Sequence, residues 1–292
     1  MEIGVVTRNA NSWSSTQLRE ALTRSQVSHV CFSFPQLTAH VGCRPYLSFR
    51  NVNLLEELDG LIIRPIGRGS LEEIVFRMDM LYKVQRAGLY VLNPPEAIEH
   101  CVDKYDILAI LEENGILVPR TAVTENVGVA LKAFKELGED VVVKPLFGSR
   151  GVGATRIKDY EVASTVFRAI TSYHGVIYLQ EFISHGSSDI RAFVIGSRVV
   201  AAMRRVAHGW KTNYSQGARP EPIKLDRSLE DLAVKSAQAI ECKVAGVDIL
   251  ESPEGPVVVE VNSQPGWKGL QSVAKVNIAD EIVKFAVSEL KK

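Results

Sequence analysis

The chain has 292 residues, 46% of them hydrophobic and 23% charged, with 34 basic against 34 acidic side chains. This is ordinary globular usage with ample core for two domains or a three-lobed enzyme, and the balanced charge excludes a general attraction to nucleic acid or to a membrane surface. No apolar stretch is long enough to span a bilayer, the N-terminus has no signal-peptide profile, and Cys31, Cys43, Cys101 and Cys242 have no metal-type spacing, so a reduced, cytoplasmic chain is expected.

In chain order, residues 3–6, 30–34, 61–64 and 89–92 read as strands, with helices over 16–24 and 71–86. Alternation of this kind predicts a parallel sheet with helices on its faces, a Rossmann-like α/β domain. A dinucleotide site would need a G-x-G-x-x-G turn after the first strand, and the sequence there is Val6-Thr7-Arg8-Asn9-Ala10, which disfavours a nicotinamide enzyme. Arg64 lies at a strand end, where α/β sheets bind ligands, and is either a substrate contact or a surface arginine. Asn93-Pro94-Pro95 punctuates the chain and marks a domain boundary.

The next helix carries Lys104 and ends near Asn114-Gly115. A strand over 141–145 holds Lys144 and runs into Gly148, Ser149, Arg150, Gly151, Val152 and Gly153. Glycines at this density free backbone amides to wrap a phosphate chain, although a plain glycine-rich hairpin has the same composition. No Gly-Lys-Ser/Thr follows, and residues 154–157 read as a strand, so this is not a P-loop. A helix over 160–173 precedes a strand over 176–183. Gly196-Ser197 then signals a two-residue hairpin. With Ile195 opposite Arg198, a regular ladder sets Asp189 opposite Arg204, puts Arg191 on the same face and points Arg205 away. Such a face orients ribose and phosphate or forms a charge network. The polar loop between Ala207 and Arg219 is expected to carry Lys211 and Asn213 into the site.

After a helix over 228–244 comes a second hairpin around Ser252-Pro253-Glu254-Gly255. If Asp248 stands opposite Glu260, one face holds Asp248, Leu250, Val258, Glu260 and Asn262. Val247, Ile249, Val259 and Val261 then point into a core. Two carboxylates and an amide on one face suit a hard cation such as Mg²⁺; a solvated polar hairpin is the alternative. Asn277 N-caps a last helix whose Ile278, Ile282, Phe285 and Leu290 form an apolar stripe.

Lys104, Val143-Lys144-Pro145, the loop 148–153, Gln180-Glu181-Phe182-Ile183, Asp189-Ile190-Arg191, Val247-Asp248-Ile249 and Glu260-Val261-Asn262 occur in one order. Together they resemble the ATP-grasp ligases, and specifically the RimK-type amino-acid ligases, over roughly residues 90–290. The resemblance implies an ATP-grasp fold of two α+β lobes (94–187 and 188–292) behind the α/β domain of residues 1–93. It implies that Lys104 and Lys144 contact ATP phosphates under the glycine loop and that Glu181 and Phe182, with Gln180 and Ile183, meet the adenine. Asp189 and Lys211-Thr212-Asn213 would add nucleotide contacts. Asp248, Glu260 and Asn262 match the ligands of one or two Mg²⁺ or Mn²⁺ ions.

The implied chemistry is phosphorylation of a carboxylate by ATP, followed by attack of the L-glutamate amine, with Arg191 and Arg204 stabilising the developing charge. The segment Asn262-Ser263-Gln264-Pro265-Gly266-Trp267-Lys268-Gly269-Leu270 departs from the bacterial Asn-x-Ser-Pro-Gly pattern. With Asn93-Pro94-Pro95, Ser215-Gln216-Gly217 and Val276-Asn277-Ile278-Ala279-Asp280 it is most similar to the archaeal branch that glutamylates tetrahydromethanopterin. Relatives glutamylate a deazaflavin coenzyme or a ribosomal protein. Arg64 and Trp267, with the region of Tyr46 and Phe49, are candidate acceptor contacts, the aromatics stacking a flat pterin. Small-molecule partners and a homo-oligomer are implied. A non-catalytic ATP sensor is the alternative class, and the retained lysines and metal ligands argue against it.

Overall fold

The computed structural model describes residues 1–50, 52–148 and 151–292, so Ser149 and Arg150 of the glycine loop lie outside the described residues. The first segment is built from β1 (Glu2–Val6), α1 (Trp13–Arg24), β2 (Ser28–Phe32), β3 (Leu37–Ala39), β4 (Leu47–Phe49), β5 (Val52–Asn53), α2 (Leu54–Glu57), β6 (Gly60–Ile63), α3 (Leu71–Arg86) and β7 (Tyr90–Leu92). Strands β2-β1-β6-β7 form an all-parallel sheet, the expected α/β layer. The small antiparallel sheet β3-β4-β5 has no counterpart among the expected elements. Its strands are too short to show a period. Helix α1 begins three residues earlier than expected because the Ser12 side chain accepts the Ser15 N–H as its N-cap.

The chain continues through α4 (Pro95–His100), α5 (Lys104–Glu113), β8 (Thr121–Thr124), α6 (Val127–Glu136), β9 (Val141–Lys144), β10 (Thr155–Ile157), α7 (Tyr160–Ser172) and β11 (Ile177–Glu181). Strands β10-β9-β11-β8 make an antiparallel sheet, backed by α6 and α7 around Phe134, Phe167 and Leu179. Asp103 caps α5 by accepting from Tyr105 and Asp106 N–H, which places Lys104 at its first turn.

The last segment contains β12 (Ser188–Ile195), β13 (Arg198–Val206), β14 (Arg219–Pro222), α8 (Arg227–Ala239), β15 (Val244–Ser252), β16 (Gly255–Asn262), α9 (Lys268–Gln271) and α10 (Ile278–Leu290). Its antiparallel sheet runs β14-β13-β12-β15-β16. Helix α8 stops at Ala239, short of the expected 244, and Glu241 at φ 57° turns the chain into β15. One face of the sheet packs Ile190, Ala192, Val247, Ile249 and Val261 against α5 and α8. Ile278 and Ile282 of α10 share another core with Ile3, Leu18, Phe193 and Trp267, and Phe285 and Leu290 pack at its edge.

Two registers differ from expectation, each by one inserted residue. Ile195 pairs with Arg198, but Phe193 pairs with Ala201 and Val194 with Val199, so Val200 is extra. Beyond that bulge Asp189 faces Arg205, and Arg204 faces Ile190. Asp248 does pair with Glu260, but Ile249 pairs with Val258, leaving Val259 as the extra residue. Val258 therefore joins the core, while Val259 lines the cleft described below. With a side-chain period of two, one added residue sends everything beyond it to the opposite face. No helix among the described residues is long and apolar enough to cross a membrane.

Candidate functional site

A cleft between the β10-β9-β11-β8 and β14-β13-β12-β15-β16 sheets gathers residues from distant parts of the chain. Lys104 from α5 and Lys144 from β9 enter it from one side, Asp248 and Glu260 from the other, and the loop residues Gly148, Gly151 and Val152 lie over them. Lys104 Nζ donates to the carbonyls of Leu146 and Gly148, 2.9 Å each, so this cation also shapes the glycine loop. Lys144 Nζ donates to Gln180 Oε1 at 2.7 Å. Gln180 is buried and aimed by its own donations to Thr121 Oγ1 (3.1 Å) and Tyr178 OH (3.0 Å). Burial pushes Lys144 down to about 8, opposed by Glu260 and assisted by Lys104.

The glycine requirement is geometric at two positions. Gly151 has φ +68°, and a methyl there would lie 2.2 Å from Asn213 Oδ1. Gly153 has φ +81°, and a methyl would lie 2.7 Å from Pro145 Cγ. The glycine loop thus rests directly on the loop carrying Lys211, Thr212 and Asn213, all three of which line the cleft. At the rim, Phe182 meets Trp210 edge-on with ring centres 6.3 Å apart, and the Arg156 guanidinium sits 3.3 Å from the Phe182 ring centre. Ile183 and Glu181 also line the rim, but both Glu181 carboxylate oxygens accept from Arg120, at 2.8 and 2.6 Å.

The floor is a buried chain of ion pairs. Thr212 Oγ1 donates to Asp189 Oδ2 at 2.7 Å. Arg205 grips Asp189 with two donors, Nε at 2.6 Å and Nη2, and its Nη2 also lies 3.0 Å from Asp248 Oδ2. Arg191 takes Asp248 with Nε and with Nη2 at 2.6 Å. Asp189, Arg191, Arg205 and Asp248 are all buried, so each charge depends on its fixed neighbours. Burial works to raise Asp248, yet Arg191 and Arg205 hold it below the usual carboxylate value.

Arg204, the arginine expected here, bonds instead to Ser188 Oγ at 3.3 Å and to Glu251, off the cleft. Arg205, which lines the cleft and bridges Asp189 and Asp248, is the candidate residue that sequence reasoning missed. Its only local signal is its adjacency to Arg204, and the bulge selects between them.

Glu260 is raised by burial and by Asp248 facing it, against Arg191, Lys104 and Lys144. No described side chain donates a hydrogen bond to it. Asn262 follows two residues on along β16 and donates Nδ2 to Gly246 O at 3.5 Å, without lining the cleft. Among the described residues no group of three or more His, Cys, Asp or Glu side chains gathers. Two carboxylates and an amide oxygen fit a hard cation that takes its remaining ligands from phosphates and water. Asp248 would share its oxygens with the two arginines.

The aromatic candidates lie elsewhere. Trp267 is 1% exposed, wedged between Trp13 and Phe193 at ring-centre distances of 6.1 and 6.3 Å, and offers no face to a pterin. Phe49 is buried and stacks on Phe32 at 5.1 Å, while Tyr46 lies under Arg44 and Lys83. Arg64 is buried over Trp267, its Cζ 4.6 Å from the ring centre.

Residues 101–286 match the RimK-like ATP-grasp domain. The tetrahydromethanopterin:α-L-glutamate ligase of Methanococcus maripaludis is 32% identical, covering 100% of this chain and 99% of that protein. A probable α-L-glutamate ligase of Trichodesmium erythraeum is 36% identical over 100% of this chain and 98% of its own length, so the likeness is not confined to archaea. Among solved structures, the ATP-grasp ligase PsnB, complexed with a minimal precursor, Mg and ADP, superposes with a TM-score of 0.77 at 19% identity, covering 100% and 98% of the two chains. That likeness concerns the fold, and the sequence likeness concerns the family. With an ordered motif set, a lysine- and carboxylate-lined cleft between two antiparallel sheets and full-length relatives, the chain belongs to the RimK-like ATP-grasp family of ligases.

Proposed function

We propose that the protein is an ADP-forming ligase that joins L-glutamate to the carboxylate of an acceptor, with tetrahydromethanopterin the first candidate. The acceptor follows from the named activity of the Methanococcus relative. The observation that carries the chemistry is the buried run Thr212–Asp189–Arg205–Asp248–Arg191, set beside Glu260 and facing Lys104 and Lys144.

In this reading the acceptor carboxylate attacks the γ-phosphorus of ATP, the bond to the β-phosphate oxygen breaks, and ADP leaves. The glutamate amine then attacks the acylphosphate carbon, loses a proton and expels phosphate. Lys104 and Lys144 hold the phosphate chain, and the glycine loop closes over it with backbone amides. Asp189 and Lys211–Asn213 set the ribose and phosphate side, with the Phe182 and Trp210 rim around the base. Asp248, Glu260 and Asn262 hold Mg²⁺ or Mn²⁺, one ion or two, which neutralises phosphate charge when bound. Arg191 and Arg205 keep Asp248 ionised and in place, and their spare donors face charge that builds on the transferring group. Closing the cleft excludes water, which would otherwise hydrolyse the acylphosphate.

The test is ADP release with Mg²⁺, ATP and L-glutamate across tetrahydromethanopterin, a polyglutamylated deazaflavin and a peptide ending in glutamate, with product mass measured alongside. One added glutamyl residue on tetrahydromethanopterin is the expected result. Transfer to another acceptor would replace the substrate, and tight ATP binding without acceptor-dependent ADP would remove the ligase reading.

A further inference from the structure

Arg64 follows β6 directly, and its backbone N–H donates to Val6 O at 2.9 Å, extending the parallel ladder at its C-terminal end. Ligands of open α/β sheets bind at that end. Arg64 is 7% exposed, and no acidic side chain among the described residues pairs with it. Among the described residues its guanidinium makes one hydrogen bond, Nη2 to Pro265 O at 3.2 Å, and its Nε has no acceptor. Burial pulls its pKa down to about 10.

Two neighbours share the condition. Gln264, which accepts from Ile66 N–H at 3.3 Å, leaves Nε2 unmet, and Trp267 beneath the guanidinium leaves Nε1 unmet. All three unmet groups are N–H donors, one of them cationic. A buried cation without a counter-charge is unfavourable, and so are buried donors without acceptors. An oxyanion answers both.

The position ties this joint to the chemistry. Gln264, Pro265 and Trp267 come directly after Asn262 and Ser263. A methyl on Gly246 would lie 2.9 Å from Pro265 Cβ and 3.0 Å from Arg191 Nη1. Pro265 is therefore a neighbour of both guanidiniums, the one that grips Asp248 and the one that grips nothing acidic. We propose that Arg64 anchors a carboxylate of one of the two organic substrates, the acceptor or L-glutamate, at the joint between β6 and the segment after β16. This rests on the ligase reading above, and it assigns Trp267 to supporting Arg64 rather than to stacking a pterin.

The experiment is steady-state kinetics on the full chain for wild type, Arg64→Met and Arg64→Lys, varying ATP, acceptor and L-glutamate separately, with thermal melts. Methionine keeps apolar contact with Trp267 and removes the charge, so its melting temperature should equal or exceed that of wild type. Its KM should rise roughly 10- to 100-fold for one organic substrate, with KM for ATP unchanged and partial recovery in Arg64→Lys. The substrate whose KM moves identifies the carboxylate. That same substrate should raise the melting temperature of wild type and not of Arg64→Met. A wild type that turns over while Arg64→Met keeps both organic KM values would overturn the anchor alone. A wild type with no acceptor- or glutamate-dependent ADP release would remove the ligase reading and the anchor with it.

Discussion

Lys144 and Glu260 face each other across the cleft with opposite shifts, and both are pushed toward their neutral forms by burial. For Lys144 the folded value of about 8 lies below the ordinary 10.5. Its charged form therefore opposes folding below pH 8, and that cost fades as pH climbs from about 8 to 10.5. Phosphate binding has the reverse dependence, because it wants the ammonium. ADP affinity by calorimetry should weaken as pH rises past 8, and Lys144→Met should bind weakly with a flat profile. A wild-type profile as flat as the variant's would exclude Lys144 from phosphate binding. Glu260→Gln should cut ADP formation roughly 100-fold or more. Its melting temperature should hold or rise, since a buried carboxylate opposite Asp248 disappears. Near-normal turnover would sink the metal assignment.

At the scale of the element, the bulge at Val200 decides which arginine the site owns. Arg205 is buried between two carboxylates, whereas Arg204 pairs with Glu251 at a half-exposed edge. Arg205→Ala leaves buried Asp189 without its arginine and Asp248 with only Arg191, and should cost about 3–5 kcal/mol in urea unfolding. Arg204→Ala should cost no more than about 1 kcal/mol, being a partly exposed pair. Equal losses would argue for the unbulged ladder. The Val259 bulge works the same way. It lets Asp248 and Glu260 share the cleft face while Val258, two residues before Glu260, still reaches the core.

For the whole molecule, Asn93 joins the segments. Its Nδ2 donates to Val244 O at 2.7 Å and to Ser263 O, and its Oδ1 accepts from Lys243 and Val244 N–H at 2.8 Å each. One side chain at the end of the parallel sheet thus holds the start of β15 and the residue after Asn262. Asn93→Ala leaves several buried backbone groups unmet and should cost about 3 kcal/mol by thermal or urea unfolding. A loss under about 1 kcal/mol, the net worth of one ordinary hydrogen bond, would show that solvent replaces these contacts. The same joint is closed by α10, whose Ile278 and Ile282 share a core with Ile3 and Leu18, more than two hundred residues away.

Periodicity and local chemistry sufficed for much of this. The parallel α/β segment, the Asp248–Glu260 pairing, the glycine loop and the Asn277 cap are all readable from neighbours within a few residues, because each depends on backbone sterics or a period of two. Thr121–Thr124, by contrast, is too short to show a period, whereas α6 does carry a local signal, the Asn126 cap with Val127, Ala130, Leu131 and Phe134 at helical spacing, which sequence reasoning passed over. Long-range packing settled the rest. Arg204 and Arg205 are chemically equivalent in sequence, and one unpaired valine several residues away turns the second inward. Trp267 has the composition of a stacking platform, but Trp13, Phe193 and Arg64, from three separate parts of the chain, close over it. For residues like these, burial is a property of what other segments bring, and no local pattern distinguishes them.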